Sequence, residues 1–207
     1  MIKLADIEYV VFDTETTGLS PLEGDRIIEI AALKLRKGQI VDRLVSLLNP
    51  KRPLSPGAQE INGITQEMVQ DAPTSREFLP AVIDFIGNAC LVAHNASFDL
   101  KFLAYELALG GRKLRDETPA IDTMKMSKAF LPHLTSHRLE YLVRSLGIKV
   151  VATHRAQADA ELTVSLFTRL LAMAPEYNVK GLPAMIGLFS VEKPSFRISQ
   201  PAQPSLF

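Results

Sequence analysis

The sequence predicts an α/β fold in which an antiparallel hairpin extends a parallel sheet flanked by helices. Three observations predict it. Tyr9-Val10-Val11-Phe12 is a short β-rich run with no polar alternation, as in a strand covered on both faces. Residues 26–35 and 39–48 form two apolar-rich runs split by Lys37-Gly38, which reads as a hairpin. After these, short buried-strand signals alternate with helical spacing, the pattern of an α/β sheet.

The remaining elements follow in order. Pro53, Pro56, Gly57, Asn62 and Gly63 mark an irregular connection with room for a helical turn. Phe78, Leu79, Val82, Ile83 and Ile86 recur at helical spacing, which predicts a helix over 75–86. Leu91-Val92-Ala93 is a second buried strand. A helix over 98–109 is stopped by Gly110-Gly111. Ala120-Ile121 forms a short third parallel strand. Helices are expected over 124–130, 138–146 and 154–173, the last with Thr153 as its N-cap. Residues 1–175 read as one domain and 176–207 as an extension. Within that extension, 181–189 carries apolar residues able to pack back, and 195–207 reads as a flexible tail.

Composition narrows the class. The 207 residues are 47% hydrophobic and 22% charged, ordinary for a globular protein. No apolar run approaches the roughly 20 residues a membrane span needs, so no membrane role is expected. The first residues lack the basic-then-apolar layout of a secretory signal. Cys90 is the only cysteine, which excludes an internal disulfide and points to a reducing, cytoplasmic setting. Lys plus Arg and Asp plus Glu both number 23. Contact with nucleic acid must therefore be local, or strengthened by metal ions or a partner.

Four acids carry the chemistry. Asp13 and Glu15 are two apart immediately after a buried strand, so both share the face of Val11. Two acids on one face repel unless protonated or bridged by a cation; a polar turn closed by Gly18 is the alternative. Asp99 shares a helix face with Phe102 and Leu103, at offsets of three and four, and an acid in a first helical turn also favours the helix dipole. Asp159 lies on the stripe Leu162, Leu166 and Leu170, where an unpaired carboxylate would be costly. Metal ligation removes that cost; an ion pair with Arg155, four residues earlier, is the other outlet. His154 stands at the start of the same helix. His94-Asn95 closes the strand before Asp99, at the sheet end where ligands gather in parallel sheets. Four acids, two divalent ions and a base together suggest phosphodiester hydrolysis.

The ordered set resembles the DEDDh family of 3′–5′ exonucleases, the proofreading epsilon subunits of bacterial DNA polymerase III most closely. Phe12-Asp13-Thr14-Glu15-Thr16-Thr17-Gly18-Leu19 is similar to the first motif of that family, His94-Asn95-Ala96-Ser97-Phe98-Asp99 to the second and His154-x4-Asp159 to the third. Ser136-His137-Arg138-Leu139 and Leu146-Gly147-Ile148 also fit. Ile61-Asn62-Gly63-Ile64-Thr65 resembles the connecting loop, although a histidine is frequent where this chain has Asn62. The tyrosine variant of the family is disfavoured by His154.

The resemblance implies a ribonuclease-H-like fold: a mixed five-stranded sheet with the second strand antiparallel. It implies two Mg²⁺ or Mn²⁺ ions held by Asp13, Glu15, Asp99 and Asp159, with His154 as general base. It implies removal of nucleoside 5′-monophosphates from a single-stranded or frayed 3′ end of DNA, in proofreading or repair. RNA 3′–5′ hydrolysis and a catalytically silent binding module are the alternatives. The backbone near Thr16 and the side chains of Leu19, Asn62 and Phe98 are implied to hold the terminal nucleotide. Gln203-Pro204-Ser205-Leu206-Phe207 resembles the peptide by which bacterial proteins bind the sliding clamp, with Gln203, Leu206 and Phe207 as anchors. A DNA polymerase is the other partner implied.

Overall fold

The computed structural model describes residues 4–150, 154–196 and 198. The chain runs through β1 (Tyr9–Thr16), a 3-10 turn at Pro21–Glu23, β2 (Ile27–Arg36) and β3 (Gln39–Leu47). Helices α1 (Pro56–Asn62), α2 (Gln66–Val69) and α3 (Ser75–Ile86) follow, then β4 (Cys90–Ala93) and α4 (Ala96–Leu109). β5 (Ala120–Asp122), α5 (Thr123–Phe130), α6 (Leu139–Ser145), α7 (Ala156–Met173) and α8 (Leu182–Phe189) complete the order. The strands lie in the order β3-β2-β1-β4-β5. β1, β4 and β5 are parallel, and β2 is antiparallel to both its neighbours. This is the mixed five-stranded sheet expected.

Alternation along β1 divides the core. Tyr9 and Val11 face a cluster built with Phe130, Leu142, Leu166, Phe167 and Leu170, so α5, α6 and α7 cover that side. Val10 and Phe12 face Leu79, Val82, Leu100, Phe102 and Leu103, so α3 and α4 cover the other. Each large side chain fully buried here contributes about 1.5–3 kcal/mol.

β1 is longer than its apolar run. It continues through Asp13 and Glu15 to Thr16, where the sequence led us to expect the strand to end at Phe12. The reason is unequal support. β2 keeps pairing, Asp13 opposite Ala31 and Glu15 opposite Glu29, and a register shift follows between Glu15 and Thr16. On the other side the β4 pairing ends at Val11 opposite Val92. The acids therefore occupy regular strand with one flank open.

Two helix starts also differ from expectation. α4 begins at Ala96 because Asn95 adopts a left-handed backbone (φ 63°) and turns the chain directly off β4. α7 begins at Ala156, with Arg155 extended before it and His154 left-handed (φ 61°). His154 thus precedes the helix rather than opening it. Thr153 lies outside the described residues.

The segment after α7 returns to the sheet. Val179, Met185 and Phe189 join the core beside Phe130 and Phe167. Ser190 bridges antiparallel to Ile121, and the Val191 N–H donates to Ala120 O (2.9 Å). Lys193 Nζ then donates to the carbonyls of Arg115 (2.5 Å), Asp116 (2.9 Å) and Thr118 (2.6 Å). Phe196, expected in a flexible tail, packs edge-on against Tyr105 at 5.3 Å. Gln203, Leu206 and Phe207 lie outside the described residues. Among those described, no helix is long and apolar enough to cross a membrane.

A partly buried ion pair ties α4 to the start of β2. Glu106 is fully enclosed and accepts from Arg26 Nε (2.7 Å), Arg26 Nη2 (2.7 Å) and Ile27 N (3.2 Å). Glu106 is seven residues beyond Asp99, two turns along one face, so this pair helps set where Asp99 stands. Removing one partner of such a pair leaves a buried charge uncompensated. Arg26→Met is expected to cost about 3–5 kcal/mol in urea unfolding, and adding Glu106→Gln should recover part of that loss.

Candidate active site

Asp13 and Glu15 project from β1 onto the face covered by α7, as the two-residue period requires. Asp159, in the first turn of α7, meets them there. One carboxylate oxygen from each of Asp13, Glu15 and Asp159 lies within 4.8 Å of the other two. Asp159 reaches the cluster because Leu162, Leu166 and Leu170 bury its stripe of the helix. Its Oδ2 accepts from His154 N at 2.9 Å. No ion pair forms between Arg155 and Asp159; Arg155 turns to Glu29 instead.

Asp99 approaches from α4. It is 3% exposed, and its Oδ1 accepts from both Thr14 N (3.0 Å) and Thr14 Oγ1 (2.8 Å). That Thr14 N–H lies past the last β1–β4 pair, and Asp99 supplies the acceptor a longer β4 would have provided. Both bonds go to Oδ1, so Oδ2 can serve a ligand. Asp122 organises the same strand ends: its Oδ1 accepts from Asn95 N (3.1 Å) and Met124 N (2.8 Å). His94 lies between Thr123 Oγ1 and the His137 carbonyl, each at 2.9 Å. A carbonyl only accepts, so Nε2 carries a hydrogen. Burial lowers the His94 pKa, in keeping with a neutral ring.

The acids do not ionise as they would in water. Burial first, then Asp99, Asp159, Glu15 and Glu29, hold the Asp13 carboxyl well above the usual carboxylate range. Burial and the charge of Asp159 push Glu15 up to about 7. Asp99 is pushed up to about 7 by burial, against the lowering effect of its Thr14 bonds. Asp159 is raised by burial, with the His154 N–H bond acting in the opposite sense. Oxygen donors this close, this desolvated and this mutually repelled fit a hard divalent cation.

The other expected residues lie outside the three-acid cluster. The His154 imidazole points toward solvent, 59% exposed, with Nε2 3.7 Å from Glu140 Oε1. Leu19 is 80% exposed at the tip of the 17–25 loop. That loop is held by Asp25, which accepts from Thr17 Oγ1 (3.0 Å) and Ser20 N (3.1 Å), and a methyl group at Gly18 would fall on the Asp25 carboxylate. Thr16 Oγ1 donates to Gly18 O at 2.6 Å. Phe98 is half-buried and tilted on Phe102 at 5.1 Å. Asn62 departs most from expectation. It ends α1, is buried, and its Oδ1 accepts from Ile64 N (3.0 Å), so its side chain shapes the turn.

The sequence reading missed Thr14, Glu29, Glu106 and Asp122. Glu29 had a legible signal, an acid inside Ile27-Ile28-Glu29-Ile30-Ala31-Ala32.

Comparison with known proteins accords with this geometry. The RNase T family model, described as exonuclease, matches residues 10–167. The DNA polymerase III PolC-type of Bacillus subtilis (strain 168) is 41% identical over 179 residues, 86% of this chain and 12% of that protein. The chain thus spans about one-eighth of the length of that relative. Among solved structures, exonuclease X in complex with 5′ overhanging duplex DNA superposes with a TM-score of 0.70 at 27% identity, covering 87% of this chain and 98% of that one. The nuclease domain of 3′hExo, a DEDDh family member bound to rAMP, superposes at 0.73 with 21% identity, over 93% of this chain and 100% of that one. The matched span takes in Asp13, Glu15, Asp99 and Asp159, the four acids that converge from β1, α4 and α7, and the chain belongs to the exonuclease family.

Proposed function

We propose that this exonuclease is a 3′–5′ exodeoxyribonuclease that removes nucleoside 5′-monophosphates from single-stranded or frayed DNA ends, in replication proofreading or repair. The meeting of Asp13, Glu15 and Asp159 oxygens within 4.8 Å carries the reading. DNA is favoured by the polymerase named in the 41% relative and by the DNA-bound exonuclease X.

Asp13, Glu15 and Asp159 would hold divalent cations, two Mg²⁺ or Mn²⁺ ions in this reading, with Asp99 completing the set. When bound, such ions stabilise charge on the phosphoryl and leaving oxygens and make a nearby water more acidic. Until they bind, the acid cluster repels a phosphate; once neutralised, it admits one. Thr14 keeps the Asp99 carboxylate aimed while the cluster fills. His154 takes the proton of the attacking water, the general-base role that histidine fills most often. From its position beside Glu140 the imidazole must swing inward, and the left-handed backbone at His154 sits outside α7, where such a rotation does not disturb the helix. Leu19 lies against the terminal base and Phe98 beside its sugar or base, while Asn62 acts by shaping the 61–65 turn. None of these reads base identity, so sequence preference is low. Residues 203–207 tether the enzyme to a sliding clamp and raise its local concentration at a primer end.

Three outcomes test this. His154→Ala is expected to slow release of mononucleotide on the order of 10²–10⁴-fold, and chelator to abolish it, on labelled single-stranded and mispaired DNA with matched RNA alongside. Undiminished cleavage in EDTA would overturn the reading, and faster cleavage of RNA would reassign the substrate.

The second outcome concerns pH. Unfolded carboxyls ionise near pH 4, whereas Glu15 and Asp99 keep their protons until about pH 7 in the fold. The folded state binds more protons across that window, so stability from these groups is complete below about pH 4 and falls as pH rises toward 7. A cation offsets the loss only where the protons have gone. Saturating Mg²⁺ should therefore raise the melting temperature by several degrees near pH 8 and by less near pH 6. Asp13→Asn should stabilise the metal-free protein and shrink that gain. Equal gains at both pH values would count against the cluster as the cation site.

Third, deleting residues 203–207 should abolish clamp binding in calorimetry while leaving nuclease turnover intact. An unchanged isotherm rules out the tether.

A further inference from the structure

The strand opposite Glu15 carries an acid that no step above uses. Glu29 is 3% exposed in β2, directly across the sheet from Glu15 on the same face. Like charges paired across strands destabilise a sheet. The charge of Glu29 also adds to the forces raising Asp13, Glu15 and Asp159. An apolar residue, as at Ile27, Ile28 and Ile30, would remove that burden. An ion pair with one half-exposed partner, as Arg155 is, is moreover a weak source of stability. A benefit other than stability is needed to account for Glu29.

Its partners identify that benefit. Arg155 grips Glu29 with both prongs, Nη2 to Oε1 at 2.6 Å and Nε to Oε2 at 3.1 Å. The Ala156 N–H donates to Oε2 at 2.9 Å, so Glu29 also supplies an acceptor to the first residue of α7. Arg155 stands between the two functional residues of this segment. It follows His154 directly, and its carbonyl accepts from Asp159 N at 3.0 Å. Asp159 in turn accepts from His154 N. One carboxylate in β2 therefore fixes the backbone from which both the α7 acid and the histidine project. Arg26 and Ile27 N hold Glu106 of α4 by the same three-bond pattern.

We propose that Glu29 and Arg155 are positioning residues: a latch that sets the first turn of α7 against β1, so that Asp159 meets Asp13 and Glu15 at cation-sharing distance and His154 swings from a fixed pivot. This rests on the hydrolytic reading of the site. A planar bidentate grip fixes orientation as well as distance, which a lysine does not.

Glu29→Gln, Arg155→Gln, Arg155→Lys and the double Gln variant test the latch. Mn²⁺ binding is followed by calorimetry without DNA, and turnover on single-stranded DNA is followed against Mn²⁺ concentration, with melting temperatures measured in parallel. Supporting groups around metal ligands typically alter affinity or activity 10–100-fold. We expect each Gln variant to bind Mn²⁺ at least tenfold more weakly and to lose kcat, with KM for DNA within about twofold of the parent. The double variant should be no worse than either single one, since both break one interaction. Arg155→Lys should recover part of the loss. A merely structural pair would lower the melting temperature and the active fraction while leaving the Mn²⁺ midpoint in place. Parental Mn²⁺ affinity in a folded Glu29→Gln or Arg155→Gln variant, or in Arg155→Lys should the others not fold, overturns the latch. A parent that binds Mn²⁺ yet degrades neither DNA nor RNA overturns the hydrolytic reading instead, and the calorimetry still decides the latch.

Discussion

Repulsion among acids gathered at one end of β1 is the constraint to which the rest of this structure answers. Asp13, Glu15, Asp99 and Asp159 come from three distant segments into a desolvated place. Ionised, they oppose the meeting until protons or cations neutralise them. The surrounding fold must therefore be rigid enough to hold them together in advance. Two buried apolar layers, one on each face of the sheet, provide the bulk of that rigidity. Hydrogen bonds with defined direction provide the aim: Thr14 to Asp99, His154 N to Asp159, and arginine forks on Glu29 and Glu106.

Strand length does much of the positioning. β4 has four residues and β1 has eight, so β1 outruns its parallel neighbour. The first turn of α4 occupies the vacated flank and brings Asp99 to a backbone N–H that has no strand partner on that side. α7 packs on the opposite face of the same overhang. An overhanging strand thus receives acids from both layers, which a strand of matched length would keep apart.

Much of this was legible in the sequence because it rests on local pattern. Period-two spacing put Asp13 and Glu15 on one face, and the stripe Asp159, Leu162, Leu166, Leu170 put an acid on a buried face. What was not legible depends on partners far along the chain. The continuation of β1 past Phe12 needs β2 opposite it; local composition alone reads Asp-Thr-Glu-Thr as a loop. At the start of α7, Arg155 is extended and, with Ala156 N, bonds to Glu29, more than a hundred residues away, and His154 lies outside the helix. Asn62 looked available in the sequence, yet a turn bond to Ile64 occupies its oxygen. Glu29 itself was visible as an anomaly, but an acid in an apolar strand announces a partner without naming it.

The two margins of the sheet are finished unlike each other. At β5 the chain doubles back, Ser190 and Val191 bond to the strand, and Lys193 gathers three carbonyls of the preceding loop. That margin is partly covered by the chain's own backbone. Among the described residues no strand pairs on the outer side of β3, which carries Asp42 and Arg43 in its exposed stretch. Charges of this kind discourage chance pairing without forbidding a specific one. Among the described residues, the border left open to another polypeptide is the one farthest in strand order from β5.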